Sequence, residues 1–428
     1  MSHGLTHRLA RSGGGSVAAW ALATAFLTYF CMYAFRKPFT AATFDHVADW
    51  PFAVDFKSTI IICQVLGYAI SKFIGVRVVS EASDRGRGLT ILVLIVASEL
   101  ALVLFAIVPA PWKPLAMFLN GLPLGMIWGL VFRYLEGRRS SEILGAGLCT
   151  SFILSSGVVK SAGRTLIDQY GISDVWMPAV TGLAFLPIIV VSVWLLSMTP
   201  PPSLEDEAAR MARQPMMQSD RKAFFRQYGI GLVLLTASFI ALGSLRDFRD
   251  NFAADIWKAV GYGKTPAIFS YSEIPAALLV LVSIGAVTLV RDNRRAVRVI
   301  HLLMAGGIVM SLGATIAFQL HLLDPVWWMV IVGAGIYLGY VPCTSILADR
   351  LIASLHSRGN SGFMLYMLDA WAYGGSVAVL LFRASASANQ SWLNFFIGLT
   401  YPSLGLGLIA TLASLLYFDM RAGGQERV

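Results

Sequence analysis

The stretch FRKPFTAATF, Phe35–Phe44, closes an apolar run near the start of the chain, and FRDNFAA, Phe248–Ala254, closes another 213 positions later. That offset is one short of half of the 428 residues. A weaker echo pairs NGLPLGM from Asn120 with GAGIYLGY from Gly333 at nearly the same offset. Two matches at corresponding places in the two halves point to an internal duplication.

Composition says what kind of unit was duplicated. The chain is 57% hydrophobic and 13% charged, with a mean hydropathy of +0.68, far from the balance of a soluble domain. Apolar runs long enough to cross about 30 Å of hydrocarbon recur near 16–38, 57–78, 88–109, 113–133, 143–166, 175–198, 226–255, 266–290, 296–320, 326–348, 360–384 and 392–418. They are continuous rather than alternating, which predicts helices and not barrel strands. A polar stretch opening with Pro200-Pro201-Pro202 divides them six and six. The expected fold is an all-α membrane protein with twelve transmembrane helices in two pseudo-symmetric six-helix bundles. Residues 1–198 form the N-terminal bundle, 199–225 a cytoplasmic linker and 226–428 the C-terminal bundle. A midpoint linker suits two halves that rock against each other.

The net charge of +9 is spread over alternate loops. Arg8 and Arg11 precede the first span, Arg77, Arg85 and Arg87 follow the second, and Arg133, Arg138 and Arg139 follow the fourth. The opposite loops hold chiefly Lys57, Lys113, Lys258, Lys264 and Arg383. This asymmetry places both termini in the cytoplasm and speaks against a nucleic-acid partner, which needs its basic residues gathered on one face. No A-x-A cleavage site follows the first span, so it reads as a retained helix. Cys31, Cys63, Cys149 and Cys343 lie far apart inside spans, a pattern of neither disulfides nor a metal site. No cofactor is expected.

Intramembrane ionisable residues are costly and mark functional sites by default. Tyr29, Tyr33, Arg36 and Thr40 follow helical spacing and share one face of the first span, with Lys37 expected to turn away. At the duplicated positions of the seventh span stand Leu242, Arg246, Arg249 and Ala253. A guanidinium holds phosphate or carboxylate with two parallel hydrogen bonds, so Arg36, Arg249 and Arg246 are candidates for an anion clamp. The alternatives are a structural pairing of Arg36 and neutralisation of Arg246 by Asp250. Gln64, Tyr68 and Ser71 share a face of the second span with Lys72 at its edge, although Lys72 would also suit a snorkelling lysine. Lys160 lies deep in the fifth span and calls for a partner or a cavity. Asp369 and Tyr373 share a face of the eleventh span. Asp369, and more weakly Glu273, are candidate proton carriers, with a structural ion pair the alternative for Asp369. Asp84 and Arg85, in SDRGRG after the second span, and the turns around Glu136 and Asp349 have the character of gating charges.

These motifs resemble the major facilitator superfamily, and within it the organophosphate:phosphate antiporters or an uncharacterised branch close to them. The resemblance rests on Tyr29, Tyr33, Arg36, Lys37 and Phe39, on Gly67-Tyr68 and Ser71-Lys72-Phe73 leading to Ser83-Asp84-Arg85, and on Asn120-Gly121, Gly125-Met126 and Trp128. It is dense over about the first 135 residues and thin beyond. It implies the major facilitator fold, phosphate binding by Arg36 with Arg249 or Arg246, and exchange by a rocker-switch motion. The chain departs from those carriers in having Ser155, Ser156 and Lys160 but no histidine in the fifth span, and in Val78-Val79-Ser80-Glu81 after the second.

The expected function is secondary active transport of a small anionic solute, an organophosphate or a carboxylated metabolite, across the inner membrane by anion exchange or proton symport. Arg36, Arg249, Arg246, Lys72 and Lys160 would supply positive charge, and Tyr33, Gln64, Tyr68 and Tyr373 the shape of the site. The alternative is a non-transporting membrane sensor on the same fold. Beyond solute and lipid no partner is expected, and the chain is expected to be monomeric. The few intramembrane carboxylates lack histidine neighbours, which argues against an enzyme.

Overall fold

The computed structural model describes residues 9, 13–45, 47–81, 86–135, 138, 141–203, 206, 218–356, 361–386 and 390–425. The described residues are helical and contain no strand. The first six spans are α1 (Gly14–Met32), α2 (Phe56–Glu81), α3 (Arg87–Ile107), α4 (Lys113–Phe132), α5 (Ser141–Tyr170) and α6 (Met177–Leu196). The second six begin with α7 (Gln218–Asn251), followed by the short α8 (Ala253–Ala259), α9 (Ile268–Thr288) and α10 (Asn293–Gln319). Next, α11 (Pro325–Pro342) passes through a π turn at Cys343–Leu347 into α12 (Ala348–Ser354). The chain closes with α13 (Ser361–Ala386) and α14 (Trp392–Gln425). Among the described residues nine helices are long and apolar enough to cross a membrane, and α2, α5 and α13 occupy the other expected spans.

The chain forms two compact units. Unit 1 holds residues 1–210, 250–271 and 384–388, and unit 2 holds 211–249, 272–383 and 389–428. The last two residues of α7, with α8 and the start of α9, therefore belong to unit 1.

The first span does not run as one helix to residue 38. The α-helix stops at Met32, and 3-10 turns follow at Tyr33–Phe35 and Pro38–Ala41. Pro38 has no N–H to continue the ladder and its ring disfavours the turn before it. Carbonyls released from a helix inside a membrane protein need other donors. Asn120 supplies one, donating from Nδ2 to Phe35 O at 3.0 Å, and Gln64 Nε2 donates to Arg36 O at 3.0 Å. Gln64 Nε2 also donates to Asn120 Oδ1 at 2.7 Å.

Glycines bring these two amides together. α2 packs along α4 with Gly67 facing the Phe118 carbonyl and Gly121 facing Gln64 O and Tyr68 N. A Cβ at Gly121 would lie 2.9 Å from Tyr68 N. Small residues at such a contact let helix backbones approach in membrane proteins. Gly121→Val should therefore force α2 from α4, loosen the Gln64–Asn120 bridge and cost about 1–3 kcal/mol. Gly285→Ala is the control, since nothing lies within 4 Å of its added Cβ. Thermal unfolding in detergent should show a lower Tm for the first variant and an unchanged or higher one for the second.

Candidate functional site

In unit 1 the site begins at the break after α1. Arg36 lies between the two 3-10 turns, with its guanidinium 3.9 Å from the centroid of the Tyr68 ring and 5.7 Å from that of Tyr33. Lys72 Nζ lies 5.4 Å from the same Tyr68 ring. Tyr33, Gln64 and Tyr68 are buried, while Arg36 and Lys72 are half-buried. The structure thus brings Arg36, Tyr33, Tyr68, Lys72 and Gln64 together. Gln64 acts there through the backbone of the break rather than through an open amide.

Lys37 does not turn away from the polar interior. It is buried and forms an ion pair with Asp250, and its Nζ donates to Asn251 Oδ1 at 2.7 Å. Lys160, the deep lysine of α5, pairs with the other oxygen of the same carboxylate and donates to Asp250 O at 2.6 Å. Ser156 Oγ donates to Asp250 Oδ1 at 2.5 Å. Asp250 is therefore engaged by two lysines and does not neutralise Arg246. Helical spacing missed this because Lys37 sits in the broken segment, where a four-residue period no longer tells direction. One signal was available. Lys37 and Asp250 occupy the same position of the duplicated motif with opposite charge.

A second buried pair lies beside the first, with Lys57 Nζ 2.6 Å from Asp255 Oδ2. Lys57 also donates to Ala42 O at 2.7 Å and to Thr40 O at 3.3 Å.

In unit 2 the arginines of α7 separate. Arg249 is buried, donates from Nη1 to Glu273 Oε1 at 2.7 Å and from Nη2 to Met329 O at 3.0 Å. Gly333 gives the guanidinium its room, since a Cβ there would lie 3.0 Å from Nη1. Glu273, expected as a weaker proton carrier, is a counter-ion in this state. Arg246 lies 3.9 Å over the Tyr340 ring and pairs with Asp247 at 2.6 Å. Asp247 accepts from Ser376 Oγ at 2.7 Å. Asp369 and Tyr373 both lie on α13. Asp84, Arg85 and Glu136 lie outside the described residues, whereas Asp349 falls in the first turn of α12.

Helices in this order define the major facilitator fold, and solved structures agree. A D-xylose-proton symporter matches with a TM-score of 0.64 and 14% identity, covering 94% of this chain and 97% of that one. The nucleoside transporter NupG matches with a TM-score of 0.60 and 13% identity over 93% and 98%. The inward-open xylose transporter XylE from E. coli matches with a TM-score of 0.57 and 12% identity over 93% and 94%. This is a multi-pass membrane protein of that fold. By sequence the chain belongs to the family of unknown function DUF5690, whose model matches residues 38–421. No curated protein matches it by sequence.

Removing one partner of a buried ion pair costs about 3–5 kcal/mol, because the other charge is left uncompensated. Asp250→Asn leaves two such cations and should lower the Tm sharply. Adding Lys160→Met to that variant should recover part of the loss in the same thermal scan. If the double variant were no more stable than Asp250→Asn, the shared-carboxylate account would be wrong.

Proposed function

We infer that this protein is a secondary transporter of a small anionic solute, working by alternating access in the inner membrane with both termini in the cytoplasm. The observation that carries the reading is the gathering of Arg36 and Lys72 at the ring of Tyr68. Two cations near one aromatic ring are placed to interact with the same anion. A guanidinium can stack on a ring with its flat face and hold a phosphate or carboxylate through its N–H edge. The resemblance of the first 135 residues to organophosphate carriers favours a phosphorylated solute over a carboxylated one. The solved structures of similar fold include a proton symporter, which is in keeping with proton symport as the driving force.

Arg36, Lys72, Tyr33 and Tyr68, all in unit 1, are the substrate residues in this reading. Arg249 serves as the buried partner of Glu273, and Lys160 as the partner of Asp250. The working unit is a monomer.

Binding to the folded state raises apparent stability, so thermal shift of the purified protein against phosphorylated and carboxylated metabolites should find stabilising anions. Arg36→Lys keeps the charge and loses the fork. It should weaken that anion's binding at least tenfold, about 1.4 kcal/mol or more, with little change in the ligand-free Tm. Arg249→Lys should instead lower the ligand-free Tm. Equal affinity in Arg36→Lys and wild type would sink the assignment of Arg36. Binding without accumulation in proteoliposomes would mark a sensor rather than a transporter.

A further inference from the structure

The third span reads LIVASELALVLF around a single acid, Glu99. Glu99 is 6% exposed on α3, and neither carboxylate oxygen has a hydrogen-bond partner. Every other buried acid described above has a basic partner. The room for this one is made on α6, where Gly182 lies against the carboxylate. A Cβ at Gly182 would run into Glu99 Oε2 and come within 3.1 Å of Phe35 Cδ1.

Among the described residues, the elements packed around Glu99 put no counter-charge on its carboxylate. α3 packs against α4, α6 and the Tyr33–Phe35 turn. α6 carries no titratable residue. Lys113 on α4 is held at the end of α3 by Phe105 O at 2.6 Å and Ala106 O at 3.3 Å. Tyr33 is the titratable residue of the turn, and Arg87 begins α3 itself, more than three helical turns from Glu99. A carboxylate buried without donor or cation is unfavourable, whereas the neutral acid is tolerated there.

We propose that Glu99 is a proton-binding site, protonated in the conformation described here, through which proton movement is coupled to the break that carries Arg36. The coupling route is short. Asn120 Nδ2 donates to Ser98 Oγ at 2.7 Å and to Ser98 O at 3.1 Å, and also to Phe35 O. Ser98 precedes Glu99, and Phe35 precedes Arg36. When Glu99 loses its proton, its new charge needs a donor or a cation. The Tyr33–Phe35 turn that leads to Arg36 packs against the helix of Glu99. No bond other than O–H is made or broken. The role in coupling rests on the transport reading, while the protonation does not.

Infrared spectroscopy of the protein in lipid separates the two. In the wild-type minus Glu99→Gln difference spectrum at neutral pH, the C=O stretch of a protonated carboxylic acid should appear. Glu99→Asp should keep that band at a shifted frequency. A difference band from an ionised carboxylate instead would overturn the proposal. In proteoliposomes with glycerol 3-phosphate as probe, Glu99→Gln should lose accumulation driven by a pH gradient and keep exchange at equal pH. Accumulation equal to wild type would overturn the coupling. Absence of any flux in the wild type would count against the transport reading, and the infrared result would still decide protonation.

Discussion

An ion buried away from water must find an opposite charge, carbonyl oxygens or an aromatic face, and that constraint shapes how the duplicated motif folds. The carboxylate of Asp250 takes Lys37 on one oxygen and Lys160 on the other. This ties the end of α7 to the break after α1 and to the middle of α5 within unit 1. The same rule accounts for other basic residues of the loops that are poor in them. Lys57 is held by Asp255 and two carbonyls, Lys113 by the last carbonyls of α3, and Arg383 by the face of Trp392 at 3.2 Å and by Gln390 O. These lysines and the arginine are structural parts, which explains their presence against the general charge asymmetry of the loops.

Duplication supplied two copies of one motif, and divergence gave them different work. In the first copy Pro38 breaks the helix and the amide of Asn120 binds the released Phe35 carbonyl. At the position equivalent to Asn120 the second half has Gly333, and the space so left is filled by the guanidinium of Arg249. Without a proline after it, α7 continues as a helix through Asn251. Arg249 is drawn inward to Glu273, while Arg36 lies on tyrosine rings. The third position diverged to opposite charges, lysine and aspartate, which now bind each other.

Helix positions were legible because a membrane span needs only composition over a sufficient length. FRKPFTAATF and FRDNFAA were also legible as related, since the match needs no structure. The fate of each charge was not. Lys37 was placed by a helical period that the proline abolishes, and the partner of Lys160 lies 90 residues away, in contact only after folding. Gln64 was recognised as polar and inward, but its task of bonding Arg36 O depends on a helix break that composition does not announce. Glu99 escaped notice because the surrounding apolar residues carried the span. Being the one acid in that span, it was the signal in plain view.

The two arginines at equivalent positions show why type of residue alone does not identify a binding group. A guanidinium fixed by a carboxylate and a carbonyl, as Arg249 is, has used the edge with which arginine recognises anions. To bind a solute it would first have to give up Glu273, leaving that acid buried and uncompensated, a penalty any new contact must exceed. A guanidinium laid on aromatic faces has its attraction spread over the ring, and an anion can add to that contact instead of competing with it. The copies therefore differ in geometry and not in charge, one guanidinium lying over tyrosine rings and the other paired with an acid. In the proposed reading Arg36, in the broken helix, meets the anion, and the pair of Arg249 with Glu273 is structural.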